Sequence, residues 1–286
     1  MNPLSFDEYK EKYPHIRMER SEDGILLMQL HNGEGGEFEW SFSNHHEVAF
    51  SWRDVGADRE NKVIILTGSG DAFLRKEYLQ VDKVDREGMH DAQKRAVEWI
   101  DAHSHGKRLE MDLLEIEQPM IAALNGPCTI HAEIPLLCDI VLAAEHTVIG
   151  DHVHFDFGLV PGDGVQVIYP MLMGLNRARY FMLTGQELSA QECKELGLVN
   201  EVLPQSQVLD RAYELAQFIL RAPPTVVRLF RPTILQQVKR QFLDSVSHGL
   251  MMEGMAAVAN YPDRDIKVPR VPSDGASDAA REHSVA

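Results

Sequence analysis

Two histidines and an aspartate lie near one another in the chain, and these residue types transfer protons near neutral pH. His131, His154 and Asp163 fall in one stretch, where apolar strand-like segments meet a short helical segment and a Pro-Gly turn. A carboxylate beside an imidazole fixes its tautomer and stabilises its charged form. The stretch therefore indicates an enzyme that uses acid–base catalysis.

The composition limits the classes of protein to which the chain can belong. It has 286 residues, of which 44% are hydrophobic, and this suits one large domain or one domain with a helical appendage. The net charge of −16, from 28 basic and 44 acidic residues, repels phosphate backbones, so we expect no nucleic acid partner. No apolar run reaches the roughly 18 residues of a transmembrane helix, so we expect no membrane span.

Three cysteines, Cys128, Cys138 and Cys193, do not have the spacing of metal ligands, so we expect no metal site. Cys128 and Cys138 lie in apolar sequence and are predicted to be buried thiols. The odd count, together with the lack of a signal peptide, favours a reducing compartment. We therefore expect a cytoplasmic protein.

Strands and helices alternate in the first half of the chain. Strands are predicted at about 15–20, 25–31, 63–67, 119–124, 139–144 and 147–149, and helices at about 5–12, 44–55, 87–116 and 131–137. Ser5 and Glu8 have the spacing of a capping box, and Asp23-Gly24 suits a hairpin turn. Either Ser43 or Asn44 is predicted to cap the helix at 44–55.

Helices dominate after residue 164. They are predicted at about 164–173, 176–184, 189–196, 205–221 and 224–259. Pro232 predicts a bend or break in the last of these, and the His103 to Gly106 segment predicts a kink in the helix at 87–116. Residues 76–86 are predicted to form a loop, and 261–286 an extended or disordered tail. This order indicates an α/β core with a helical C-terminal portion.

Several motifs, in this order, resemble the crotonase (enoyl-CoA hydratase/isomerase) superfamily. They are Asn125-Gly126-Pro127, Cys138 to Ala143, Gly158 to Gly164, Leu183 to Ala190, and Glu195 to Val202. The resemblance covers roughly residues 14–260 and implies an α/β fold, a crotonase-like spiral of ββα units. Residues 1–200 would form this core, 201–260 a helical C-terminal region that builds a homotrimer or a dimer of trimers, and 261–286 the tail.

Departures from the usual crotonase pattern limit the reactions that the protein is expected to catalyse. Ile130-His131-Ala132 stands where crotonases have a glycine triplet, and bulky residues from Phe73 to Tyr78 replace a small-residue loop. Glu133 falls near the first glutamate of the hydratases, and His154 lies about where the second would be. An oxyanion hole needs two backbone N–H groups that a thioester oxygen can approach closely, so these departures disfavour a CoA thioester.

The departures resemble the 6-oxocamphor hydrolase and β-diketone hydrolase branch, which cleaves C–C bonds of non-thioester diketones by a retro-Claisen reaction. The matching positions are Trp40, His45, His131, His154, Asp163 and Glu253. We predict that His154 takes a proton from water while Asp163 orients it, and that His131 donates a hydrogen bond to a carbonyl or enolate oxygen. His45 and Glu253 would position water or return a proton. Trp40 and Glu133 would contact the small-molecule substrate.

Two other functions stay open at the level of sequence. An enoyl-CoA hydratase or isomerase would use Glu133 with a rearranged oxyanion hole, and a catalytically silent trimer would serve as a binding or scaffold protein. The diketone hydrolase needs no cofactor, whereas the hydratase acts on a CoA thioester substrate. Each residue also has a purely structural interpretation, such as a turn residue for Asp163 or core packing for Trp40.

Overall fold

A six-stranded sheet forms the centre of the molecule in the computed structural model, which describes residues 3–75, 91–154 and 158–260. The strands are β1 Ile16–Arg20, β2 Ile25–Leu30, β3 Val63–Gly68, β4 Met120–Leu124, β5 Ile140–Ala144, β6 Val148–Ile149, β7 Leu188–Ser189 and β8 Glu201–Leu203. The strand order is β1-β2-β3-β4-β5-β8, in which only β1 and β2 pair antiparallel. β6 and β7 form a separate antiparallel pair.

Helices cover both faces of this sheet. They are α1 Phe6–Tyr9, α2 Phe42–Ala57, α3 Asp91–Glu115, α4 Glu133–Leu136, α5 Val165–Met173, α6 Leu175–Thr184, α7 Ala190–Glu195, α8 Gln205–Ile219, α9 Pro224–Ile234 and α10 Gln236–Asn260. Because both faces are covered, every residue of β3 and β4 is buried, as expected for continuous apolar runs in a parallel sheet. α8 packs on one face through Val208, Ala212 and Ala216.

Several local predictions are confirmed. Asp23-Gly24 forms the hairpin turn between β1 and β2, where Gly24 has a φ of +90°. Ser5 and Glu8 form the predicted capping box of α1. Cys128 and Cys138 are buried free thiols.

The predicted cap of α2 was wrong by two or three residues. The helix begins at Phe42, and Ser41 caps it, because the Ser41 hydroxyl accepts the Asn44 N–H at 3.2 Å. The Asn44 side chain in turn accepts the Ser41 N–H at 2.8 Å. Asn44 is therefore the third helical residue of a capping box, where an amide replaces the more usual Glu or Gln.

α3 runs through His103 to Gly106 without the predicted interruption. Gly106 has a packing reason instead, since a Cβ there would lie 3.0 Å from the Leu250 side chain on α10. The glycine thus lets α3 and α10 approach closely. The predicted start of this helix at 87 lies outside the described residues.

The predicted break near Pro232 is confirmed, because α9 ends at Ile234 and α10 begins at Gln236. The short strands β7 and β8 lie in a region that was predicted to be mainly helical, and β8 extends the sheet by pairing with β5. The predicted loop at 76–86 and the predicted tail at 261–286 lie outside the described residues. In the part of the chain that is described, no helix is long and apolar enough to cross a membrane.

Candidate active site

The segment that follows β4 enters the candidate site through a tight turn. A Cβ on Gly126 would lie 1.8 Å from the Asp71 carbonyl oxygen, so only glycine fits this approach. The Asn125 side-chain amide donates hydrogen bonds to the carbonyl oxygens of Gly70 and Ala72, at 2.8 and 2.9 Å. The turn therefore lies at the carboxyl end of the parallel strands, where α/β proteins commonly bind ligands.

His131 has a strained backbone in this segment. Its φ of +45° lies in the left-handed region, which costs a non-glycine residue about 1–3 kcal/mol. The short helix begins two residues later, at Glu133, so the predicted helix from 131 to 137 was wrong at its start. His131 thus adopts a backbone conformation that suits glycine. This explains how the segment makes its turn without the glycine triplet.

Aromatic contacts and one hydrogen bond hold the His131 ring. Its Nδ1 lies 2.7 Å from Glu133 Oε1, and its ring centroid lies 4.0 Å from that of Trp40. His45, in the first turn of α2, lies 5.3 Å from the Trp40 ring and 5.8 Å from the His131 ring, centroid to centroid. Trp40, His45, His131 and Glu133, which the sequence placed in the site, are therefore brought together.

Burial makes both of these imidazoles neutral. Desolvation lowers the pKa of His131 to about 4, and it lowers the pKa of His45 well below its usual value, with the nearby His131 adding to the effect. A neutral imidazole has one N–H donor and one acceptor nitrogen. His131 can therefore donate a hydrogen bond to a substrate oxygen without carrying a charge.

His154 lies between two aspartates. Its Nδ1 is 2.5 Å from Asp151 Oδ1, and its Nε2 is 3.5 Å from Asp163 Oδ1. The prediction that Asp163 orients the ring was therefore wrong, because Asp151 fixes Nδ1 and Asp163 faces the other nitrogen. The Nε2–Asp163 distance is an ion-pair contact, and Nε2 makes no hydrogen bond to any described residue.

The two aspartates favour the charged form of His154. Burial alone would lower its pKa, but attraction to Asp151 and Asp163 outweighs the burial and raises the pKa well above its usual value. The resting site therefore favours an imidazolium, and His154 becomes a base only after it loses this proton. Asp151 was missed in the sequence, although its spacing of three residues from His154 was a usable signal.

A turn and a helix bring further carboxyl groups to the same place. The Pro161-Gly162-Asp163-Gly164 turn touches α10 so closely that a Cβ on Gly162 would lie 2.3 Å from the Gly249 carbonyl oxygen and 3.0 Å from the Glu253 Cβ. Asp163 and Glu253, both predicted site residues, therefore come together because Gly162 and Gly249 have no side chains.

Three buried glutamates surround this region: Glu110, Glu133 and Glu253. Burial raises the pKa of each of them well above its usual value, and the Asp163 carboxylate adds to the effect. Burial therefore favours the protonated, neutral form of each of these carboxyl groups. Glu110 was not predicted, because on the amphipathic helix α3 it is indistinguishable in sequence from a solvated carboxylate. Neither of its oxygens has a hydrogen-bond partner among the described residues.

One group of side chains has the spacing of metal ligands. Single ligand atoms from His131, Glu133 and Asp163 all lie within 4.8 Å of one another. Two of these residues, His131 and Glu133, are also hydrogen-bonded to each other through Nδ1 and Oε1. The same atoms can therefore hold a substrate oxygen or a water molecule through hydrogen bonds.

Comparisons with known proteins identify the family of the chain. The sequence model of the enoyl-CoA hydratase/isomerase family matches residues 20–254. A β-diketone hydrolase from the cyanobacterium Anabaena, solved with bound (S)-3-oxocyclohexyl acetic acid, is 37% identical, covers 90% of this chain and 99% of its own, and superposes with a TM-score of 0.80.

Two curated relatives carry hydratase names. A probable peroxisomal enoyl-CoA hydratase of Arabidopsis thaliana is 28% identical over 75% of each chain. A hydroxycinnamoyl-CoA hydratase-lyase of Pseudomonas fluorescens is 27% identical over 77% of this chain and 78% of its own. The fold and the predicted resemblance are confirmed: the chain belongs to the enoyl-CoA hydratase/isomerase family and has its crotonase-like α/β fold.

Proposed function

We propose that the protein hydrolyses the C–C bond of a 1,3-diketone by a retro-Claisen reaction. The observation that carries the proposal is His154, which is buried between Asp151 and Asp163 beside the neutral imidazole of His131. The similarity to the Anabaena β-diketone hydrolase supports it. The acid bound to that relative is the product that water would give from a bicyclic diketone in which one bridgehead carbon lies between the two carbonyls.

In the first step, water adds to one carbonyl of the diketone. Neutral His154 accepts a proton from water at Nε2, the nitrogen that lacks a hydrogen bond, while Asp151 holds Nδ1–H. The oxygen of water forms a bond to the carbonyl carbon, and the carbonyl π electrons move to its oxygen. Asp163, which faces Nε2 at 3.5 Å, stabilises the imidazolium and holds the water in line.

In the second step, the tetrahedral intermediate collapses. The C–C bond breaks, its electron pair passes to the second carbonyl as an enolate, and a carboxylic acid is left on the first fragment. Glu133 in its acid form donates to His131 Nδ1, which leaves Nε2–H to donate to the enolate oxygen. The imidazolium of His154 then protonates the enolate carbon, and the free base is restored.

The remaining predicted residues have supporting roles in this proposal. Trp40 and His45 form the wall against which the His131 ring is fixed. Glu253 is a buried carboxyl group beside the turn that carries Asp163, and burial raises its pKa, so it assists the return of the proton. The proton-transfer groups suffice for both steps, so we propose a reaction without metal or cofactor.

A CoA-thioester hydratase or isomerase is the second candidate, because the curated relatives carry hydratase names. In that reaction Glu133 would act on the thioester. Glu133 is fully buried, and its Oε1 is engaged with His131. His131 also stands where the glycine triplet of the hydratases would be.

Activity assays with both substrate classes distinguish the two candidates. We expect the bicyclic 1,3-diketone obtained by formally closing (S)-3-oxocyclohexyl acetic acid to be converted to that acid, as measured by loss of diketone and by chromatography of the product. Crotonyl-CoA should stay unchanged at the same enzyme concentration. Hydration of crotonyl-CoA with the diketone untouched would replace the proposal with the hydratase, and inactivity on both would favour a binding or scaffold protein.

We also propose that the protein is a homotrimer or a dimer of trimers. Large apolar side chains are exposed on α10, where Met251 and Met255 are 63% and 67% exposed, and contiguous exposed apolar surface commonly marks an interface. Sedimentation equilibrium should give three or six times the mass of the chain, and a monomer at micromolar concentration would contradict this.

A further inference from the structure

A cavity lies at the amino ends of the central strands, opposite the candidate active site. It has a volume of about 380 Å³, within the range of small-molecule sites. Its walls come from the segments that precede β2, β3 and β4, and from the junction of α8 and α9. The candidate active site follows the carboxyl end of β4, so the two places are separated by the length of the strands.

Gln118 lines this cavity and carries a buried hydrogen-bond acceptor without a partner among the described residues. Gln118 is 4% exposed, and its side-chain Nε2 donates to the carbonyl oxygens of Gly56 and Asp58, at 3.3 and 3.1 Å. These bonds fix the amide plane, and Gln118 Oε1 has no hydrogen-bond partner among the described residues. Because an unmet buried acceptor costs about 1–3 kcal/mol, a bound N–H or O–H group would stabilise the site.

Cationic side chains line the same cavity, although the chain as a whole is strongly acidic. Arg59, Lys62 and Arg228 contribute three positive charges, and Asp23 contributes one negative charge. Arg228 is paired with Glu117, but no carboxylate of the described ranges forms an ion pair with Arg59 or Lys62. Within the described part of the chain, these two cations are therefore available to bind an anion.

The rest of the wall is apolar. Leu220, Ala222, Pro224 and Val227 line the cavity between the amide and the basic side chains. A ligand that fits all three features has an anionic group, a short hydrocarbon body and a hydrogen-bond donor. A bare inorganic anion would leave both the apolar wall and Gln118 without contacts.

We propose that this cavity is a binding site for a small hydroxy carboxylate, separate from the site of diketone cleavage. Arg59 and Lys62 bind the carboxylate, the apolar wall packs on the hydrocarbon body, and Gln118 Oε1 accepts the hydroxyl hydrogen. A hydroxylated phosphate ester shares this chemistry, so the anion is also varied in the test.

Calorimetric titration of the full-length protein tests the site with mandelate, phenylacetate, 1-phenylethanol and inorganic phosphate. Mandelate has all three features, whereas phenylacetate lacks the hydroxyl and 1-phenylethanol lacks the carboxylate. We expect mandelate to bind most tightly, and the other two to bind about tenfold or more weakly, because each lacks one hydrogen-bonded group. Tighter binding of inorganic phosphate than of mandelate would overturn the carboxylate assignment.

Variants test whether mandelate binds in this cavity. The double variant Arg59→Gln with Lys62→Gln should weaken mandelate binding by about tenfold or more, whereas the matched surface pair Arg179→Gln with Lys194→Gln should leave it unchanged. His154→Ala should also leave it unchanged, so this result does not depend on diketone hydrolysis. No detectable binding of mandelate, or binding that is lost in His154→Ala and kept in the Arg59/Lys62 variant, would overturn the proposal.

Discussion

His154→Ala is expected to lower kcat for diketone hydrolysis by about 10²- to 10⁴-fold, the usual contribution of a positioned general base. The imidazole is the group whose Nε2 is free to accept a proton from water, and alanine has no atom that can replace it. The measurement is steady-state turnover of the bicyclic diketone, with product quantified by chromatography.

Two controls test whether the loss of activity is specific to the His154 side chain. His248→Ala changes an exposed histidine on α10 and should keep the full rate. Thermal unfolding of His154→Ala shows whether the variant is folded. A folded His154→Ala variant with unchanged kcat would remove His154 from the mechanism.

Asp151→Asn is expected to lower kcat by about 10²- to 10⁴-fold and to change the pH dependence as well. The carboxylate of Asp151 accepts Nδ1–H from His154 at 2.5 Å, whereas asparagine can also donate to Nδ1 and so favour the wrong tautomer. Loss of this carboxylate also removes an attraction that raises the pKa of His154.

The direction of the pH effect follows from the charge that His154 carries. Its raised pKa means that the neutral, basic form appears only as the pH rises through that pKa, so kcat/KM should increase with pH above the usual range for histidine. In Asp151→Asn this ascending limb should move to lower pH. Asp210→Asn, an exposed change on α8, is the matched control. An ascending limb that stays in place or moves upward would contradict the role of Asp151.

The sheet and the grouping of most site residues could be predicted from the sequence, for identifiable reasons. β3 and β4 are continuous apolar runs, which are typical of strands buried on both faces. Trp40, His45, His131, His154, Asp163 and Glu253 were found through the resemblance to one branch of a family. The structure brings Trp40, His45 and His131 together in one cluster and His154 and Asp163 in another, and the two meet where His131 Nδ1 lies 3.6 Å from Asp163.

The residues that the sequence did not reveal depend on distances between separate segments. Glu110 becomes part of the site only because α3 packs beside the turn at Gly164, where a Cβ would lie 3.2 Å from the Glu110 side chain. The choice between Asp151 and Asp163 as the partner of His154 Nδ1 depends on ring orientation, which no spacing rule gives. The positive φ of His131 is a property of the backbone, and it could not be predicted from the presence of a histidine at this position.

The central claim is that water, activated at His154, attacks a carbonyl of a 1,3-diketone. A single-turnover reaction in water enriched in oxygen-18, analysed by mass spectrometry, tests it most directly. The claim predicts that the carboxylate of the product gains an oxygen-18 atom from solvent and that the product is one water heavier than the diketone. A diketone that returns uncleaved from this reaction, or a product carboxylate without solvent oxygen, would contradict it.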